Sequence, residues 1–126
     1  MSTAGDLLSI LPRDLRESAF LAGDEAAWAR DDALAVVDRL AEMSIAIYGV
    51  EIWIPAVPGP YIPSPLFYQF TTEEPPENET WEGFVRRSAE AAKAYITRFE
   101  WDEHDDSHRT LTPYFNLTVG ASGQRP

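Results

Sequence analysis

The run from Ile45 to Ile54 constrains this chain more than any other feature. Ile45, Ile47, Gly49, Glu51 and Trp53 alternate with Ala46, Tyr48, Val50, Ile52 and Ile54, and both sets are largely apolar, β-branched or aromatic. A half-solvated strand would be apolar on one set only, so this pattern predicts a central strand buried on both faces. Gly49 inside it signals a bulge or a close backbone approach. Glu51 is the only charged residue from position 43 through 72. A carboxylate in such surroundings must be paired, hydrogen-bonded or protonated, which makes Glu51 either a structural anchor or a functional group.

Two helices are predicted to accompany the strand. The first begins near Asp31, with Asp31 as its cap and Asp32 at its positive end, and runs to about Met43. Ala33, Val36, Val37, Leu40 and Ala41 recur in it at helical spacing. The second carries Trp81, Phe84, Val85, Ser88, Ala92, Tyr95, Ile96 and Phe99 on one face, capped by Thr80 or Asn78. Leu66 to Phe70 reads as a strand antiparallel to the first. Thr110 to Val119 reads as the last strand, with Leu111, Pro113, Phe115, Leu117 and Val119 on one side.

Between the first two strands lies Pro55 to Pro65, with prolines at 55, 58, 60, 63 and 65. Proline cannot donate to a sheet ladder, so this stretch is expected to be a connection and not a strand. Ala22 to Arg30 fits a helical turn or a short strand, and Pro12 to Leu21 a short helix. The expected architecture is a single α+β domain over residues 1–126. Its mostly antiparallel sheet has about three to four strands packed against two main helices, and residues 1–6 and 120–126 are expected to be flexible.

With 44% apolar and 12% aromatic residues the chain can bury a core, which excludes a disordered regulator. It has no cysteine, which removes disulfide scaffolds, thiolate metal sites and cysteine nucleophiles. The first residues lack the charged and apolar regions of a secretory signal, and no apolar run approaches a membrane span. A soluble, cytoplasmic protein is expected. The net charge of −11, from 21 acidic against 10 basic residues, repels phosphate backbones and disfavours nucleic-acid binding. It attracts cationic partners, although acidity of this degree also serves solubility alone.

The densest chemistry is Glu100-Trp101-Asp102-Glu103-His104-Asp105-Asp106-Ser107-His108, with five carboxylates and two histidines four apart. Its spacing matches neither an EF-hand loop nor H-E-x-x-H, and ligands this consecutive point away from any common centre. No metal and no cofactor are expected. Acids at the negative end of the second helix cost roughly 0.3–1 kcal/mol each, an expense that a cationic partner would offset. No nucleophile elbow, dinucleotide or phosphate loop is present, so catalysis is disfavoured. The alternatives are a small metal-dependent or acid–base enzyme using Glu51 or the His104/His108 cluster, and a non-enzymatic adaptor subunit. Around the proline stretch, Trp53, Tyr61, Phe67, Tyr68 and Phe70 read as core aromatics. Trp53 and Tyr61 also have the character of interface anchors.

The order of motifs resembles a known family. Trp28-Ala29-Arg30-Asp31-Asp32-Ala33-Leu34, with Asp38 and Leu40, opens the first helix. Ile45-Ala46-Ile47-Tyr48-Gly49-Val50-Glu51-Ile52-Trp53 follows as a strand with an internal glycine and then an acid. Trp81, Phe84 and Ala91-Ala92-Lys93-Ala94-Tyr95-Ile96 mark the late helix, and Tyr114-Phe115-Asn116-Leu117 the last strand. From Trp28 to Val119 this resembles the immunity protein 40 family of bacterial polymorphic-toxin systems. The resemblance implies a small α+β domain that binds a cognate toxin and protects the producing cell. It brings no agreed site residues with it. The expected partner-binding residues, set by charge and aromatic character, are Glu51, Trp53, Tyr61, Glu73, Glu74, Asp102, Glu103, Asp105 and Asp106. They would face a toxin protein with a basic surface, with no membrane or nucleic acid involved and the oligomeric state open.

Overall fold

Strand β3 (Ala46–Pro55) is the axis of the molecule, as its two-sided apolar pattern requires. The structure is a computed structural model that describes residues 4–22, 25–55, 61–63, 69–72, 75, 77–101 and 111–120. Along one edge β3 pairs antiparallel with β6 (Tyr114–Gly120), from Ala46 opposite Gly120 to Trp53 opposite Tyr114. Along its other edge it takes two short strands, β4 (Tyr61–Pro63) and β5 (Gln69–Thr71). Beyond β6 come β2 (Glu25–Ala29) and β1 (Phe20–Ala22), giving the order β1-β2-β6-β3-β4 with β5 beside β3. Every pairing is antiparallel.

The fold class is the expected α+β with an antiparallel sheet; among the described residues that sheet has six strands, three of them, each only three residues long, beyond or at the limit of the three to four expected. β1, β4 and β5 are three residues long, too short to show an alternation of their own. Inside the proline stretch Tyr61–Pro63 does pair with β3, contrary to expectation. β4 is the terminal strand of the sheet order, where a residue without an N–H costs no ladder bond on its outer side. The ambiguous segment before the first long helix is strand β2. Helix α1 (Ala4–Ser9) begins within the expected flexible lead, and Gly120 belongs to β6 and not to a tail.

Helix α2 (Arg13–Glu17) is short, and α3 (Arg30–Glu42) and α4 (Trp81–Arg98) are the two main helices. α3 starts one residue before the expected cap. Ala29 occupies the N-cap without a side-chain bond, and Asp31 and Asp32 fall in the first turn, where they favour the positive end of the helix. α4 starts as expected, with Thr80 Oγ1 accepting from the Gly83 N–H at 3.0 Å. Both helices lie on one face of the sheet. Val36, Val37 and Leu40 of α3 and Ala92 and Ile96 of α4 meet Val50, Ile52, Phe115 and Leu117 in the main core. Leu7 of α1, Leu15 of α2 and Leu11 between them close one side of it, and Trp28 Nε1 donates to the Leu15 carbonyl at 2.8 Å.

The bulge that Gly49 signals is present. Ile47 faces Val119 and Gly49 faces Thr118, so Tyr48 is the extra residue between two partners. The turn from α3 into β3 is equally specific. Ile45 N–H donates to the Leu40 carbonyl at 3.0 Å and Ser44 N–H to the Ala41 carbonyl at 3.1 Å, with Ser44 left-handed at φ 60°. This double bond pattern closes a helix with a left-handed residue, a position where glycine is the usual choice.

The second face of the sheet is also covered. Four strand spacings would place β1 about 19 Å from β4 in a flat sheet, yet their Cα atoms come within 8 Å. The sheet therefore rolls up, and away from α3 and α4, which fill the other side. The inward-turned face holds Ala27, Trp53 and Asn116, all buried, with Phe20 and Tyr114 in edge-on contact at 5.8 Å. A two-sided β3 thus serves two cores: helices on one face, the rolled sheet on the other.

Candidate partner-binding surface

Glu51 and Trp53 fall on the rolled face of β3, two residues apart. Glu51 is half-buried, and Trp53 Nε1 donates to its Oε1 at 3.2 Å. Across the sheet Glu51 lies between Asn116 of β6 and Gln69 of β5 in register. Asn116 Nδ2 donates to the Ala26 carbonyl at 2.8 Å, which fixes the amide beside the carboxylate. Trp53 is only 1% exposed, so it is not the surface anchor that its residue type suggested. Its apolar body fills the rolled face while its N–H orients Glu51. Tyr61 stands opposite Pro55 on β4, so the backbone of the third expected residue runs beside the same end of β3.

Asp102, Glu103, Asp105 and Asp106 lie outside the described residues, as do Glu73, Glu74, His104 and His108. The described residues do fix where those segments leave the fold. Trp101 Nε1 donates to the Leu111 carbonyl at 2.9 Å, so the two residues that flank positions 102–110 form a hydrogen-bonded pair. Trp101 stacks edge-on against Phe99 at 5.0 Å, which ties this stem to the main core. The stem leads into Tyr114, opposite Trp53, and so stands at the Trp53–Tyr61 end of the sheet. Glu73 follows Thr72, whose N–H donates to the Tyr48 carbonyl at 2.9 Å and whose Oγ1 donates to the Ile47 carbonyl at 2.8 Å. That is the opposite end of β3. The two acidic segments expected to act together are therefore rooted at opposite ends of the sheet.

The C-terminus of α4 carries a feature that sequence reasoning missed. The Arg30 guanidinium donates to the carbonyl of Ile96, to that of Thr97 at 3.2 Å and to that of Phe99 at 3.1 Å. It also lies over the Phe115 ring, 5.7 Å from its centroid. A cation of the chain itself thus meets the negative end of the helix, where acids were expected to call for a cationic partner. Arg30 was visible only as a basic residue beside Trp28. With its acceptors more than sixty residues away, no local spacing could reveal the role. Around it Phe99, Glu100, Trp101, Leu111 and Pro113 line a shallow cavity of about 380 Å³ under the stem of the acidic segment.

At the other end of α4, Glu79 and Arg87 form a two-pronged pair, Nε to Oε2 at 3.0 Å and Nη2 to Oε1 at 2.9 Å. The hydrogen bonds from Arg87 hold the Glu79 carboxyl below its ordinary value of 4.5; partial desolvation opposes this and the Arg87 charge reinforces it. Arg87 also covers the Phe84 ring at 5.2 Å, so the pair acts as a brace for the first turns of α4.

No described helix is long and apolar enough to cross a membrane. No curated protein and no solved structure matches the chain. One family model, described as Immunity protein 40, matches residues 14–117. That span takes in α2 from Asp14, both main helices and the sheet as far as Leu117 of β6, including the Glu51–Trp53 pair and the Arg30 clamp. Matched over most of its 126 residues, the chain belongs to the immunity protein 40 family, whose name is that of an immunity protein against a toxin.

Proposed function

We propose that this protein is a stoichiometric, non-catalytic inhibitor that binds a cognate bacterial toxin domain bearing a basic surface. The observation that carries the reading, beside the family membership, is the clamped stem of the acidic segment. The Trp101–Leu111 bond joins the two residues that flank positions 102–110, and Leu111 leads into β6 at the end of β3 that Tyr61 of β4 also borders. A segment whose two flanking residues are tied together costs less to order on binding than a free chain. In this reading Asp102, Glu103, Asp105 and Asp106 steer and contact the toxin, and Tyr61 supplies an aromatic contact. Glu51, oriented by Trp53, offers a carboxylate, and Glu73 and Glu74 extend the acidic field at the other end. The protein acts in the cytoplasm of the cell that makes the toxin, within a polymorphic-toxin system.

The test replaces Asp102, Glu103, Asp105 and Asp106 together by Asn, Gln, Asn and Asn and follows association with the toxin by stopped flow over a range of salt. Association slows about tenfold or more at low salt, and the difference narrows as salt is raised. Equal rates for both proteins at every salt concentration would remove the charged segment from the interface.

A further inference from the structure

The channel between α3 and α4, on the outside of the molecule, is a second acidic surface that no sequence pattern singled out. Its floor is built of small side chains, Ala41, Val85 and Ala89, and this leaves an open groove of about 430 Å³. α3 contributes Asp38 and Glu42 to the rim, and α4 contributes Glu82, Arg86, Glu90 and Lys93. Lys93 Nζ pairs with Asp38 at 2.7 Å and Arg39 with Glu42 at 3.2 Å, both in exposed positions where such pairs hold weakly.

Glu82, Arg86 and Glu90 follow one another at a spacing of four along α4, at which opposite charges pair readily. Among the described residues, Arg86 forms an ion pair with neither. The two carboxylates stand about two turns apart, exposed, along the α4 bank of the apolar floor, and the exposed Asp38 and Glu42 of α3 line the opposite bank. That is the layout that receives an amphipathic helix with small side chains inward and cations toward the rim.

Features that cost stability collect at the end of this groove. Tyr48, the extra residue of the bulge, buries a hydroxyl that has no hydrogen-bond partner among the described residues. It belongs to a small cluster with Phe84 and Val85, against which Ala41 packs, so it lies beside the floor of the groove. Ser44, at the groove's edge, holds the left-handed turn. A bulge, an unpaired buried hydroxyl and a left-handed serine at one corner follow the pattern of strain retained at functional positions. Thr72, bonded to the Ile47 and Tyr48 carbonyls, lies at this same end, and Glu77 is exposed five residues on.

We infer that this groove is a docking surface and that its occupant is a cationic amphipathic helix of the toxin, with Lys or Arg side chains facing Glu82 and Glu90. The inference rests on the reading of the protein as a toxin inhibitor, and it adds a surface distinct from the Asp102 segment. The test uses the full chain and a catalytically inactivated form of the toxin encoded beside its gene. Binding is measured for the wild type, for Glu82→Lys with Glu90→Lys, for Glu82→Gln with Glu90→Gln, and for the four-fold variant of the Asp102 segment. Both groove pairs are exposed helix positions, and thermal melts establish that the fold is kept. Charge reversal weakens binding about tenfold or more, the glutamine pair weakens it less, and high salt narrows the gap. Wild-type affinity in both groove variants, with the toxin still bound by the wild type, overturns the groove and leaves inhibition standing. A wild type that does not bind this toxin removes the inhibitor reading and the groove's role with it.

Discussion

The hydroxyl of Ser88 accepts the N–H of Ile47 at 3.0 Å, joining the middle of α4 to the strand at its bulge. Ser88 is fully buried and donates in turn to the Val85 carbonyl at 3.0 Å, so both capacities of the side chain are used. It is the polar residue of an otherwise apolar helical stripe, and the bulge explains why a hydroxyl is needed there. Ser88→Ala would leave a buried N–H without an acceptor, at a cost of about 1–3 kcal/mol, reduced a little by the better helix propensity of alanine. Urea unfolding measures this, and unchanged stability would mean that Ile47 finds another acceptor.

Arg30 holds the far end of the same helix. Arg30→Ala removes charge-assisted bonds to the carbonyls of Ile96, Thr97 and Phe99 together with the contact over Phe115. The expected loss is about 2–3 kcal/mol. Arg30→Lys restores only part of it, because an ammonium cannot span several carbonyls as a planar guanidinium does. Amide exchange in the last turn of α4 should quicken in both variants, and protection equal to wild type would show that the helix end does not depend on Arg30.

Ser44 closes α3 in a left-handed conformation that its Cβ opposes, and among the described residues it acts through backbone groups: its N–H donates to the Ala41 carbonyl and its own carbonyl accepts from Trp81 Nε1 at 2.8 Å. Ser44→Gly keeps both bonds and relieves the steric cost. After the greater chain entropy of glycine is counted, the variant is more stable by about 0.5–1 kcal/mol. A lower melting temperature would mean that the serine side chain has a stabilising role of its own.

The Glu79–Arg87 brace gives the protein a pH-dependent increment of stability. The Glu79 carboxyl titrates below its ordinary value of 4.5 in the folded state, so the unfolded chain takes up a proton first as pH falls. The contribution is complete above the unfolded-state value and is lost as pH drops through the lower folded-state value. Urea melts of wild type and Glu79→Gln from about pH 7 to about pH 3 should therefore differ most at the upper end and converge at the lower. A constant difference across this range would show that the carboxylate charge is not what the brace uses.

Much of this was legible in the sequence because it is local. The apolar alternation of Ile45 to Ile54 identified a strand buried on both sides, and Gly49 its bulge. The helical spacing from Trp81 to Phe99 identified α4, and Thr80 its cap. These follow from periodicity and from backbone groups that must be satisfied within a few residues. The three-residue strands β1, β4 and β5 were not legible, because a strand so short is defined by its neighbour's register and not by its own pattern. Tyr61–Pro63 shows this best: proline content argued against a strand, and an edge position against β3 made one.

The candidate surface divides in the same way. Glu51 was identifiable as the lone carboxylate in an apolar run, and it sits half-buried with Trp53 Nε1 bonded to it. The sequence also determined the acidic balance, the absence of cysteine and the motif order of the family. Only the tertiary structure decided that the roll of the sheet buries Trp53 beneath Glu51, that Arg30 meets the end of α4, and that the Asp102 and Glu73 segments leave from opposite ends of β3. It also brought Asp38 and Glu42 across a groove from Glu82 and Glu90. Each of these depends on residues far apart in the chain, and their meeting is set by how the sheet curls and how two helices pack, which no local spacing encodes.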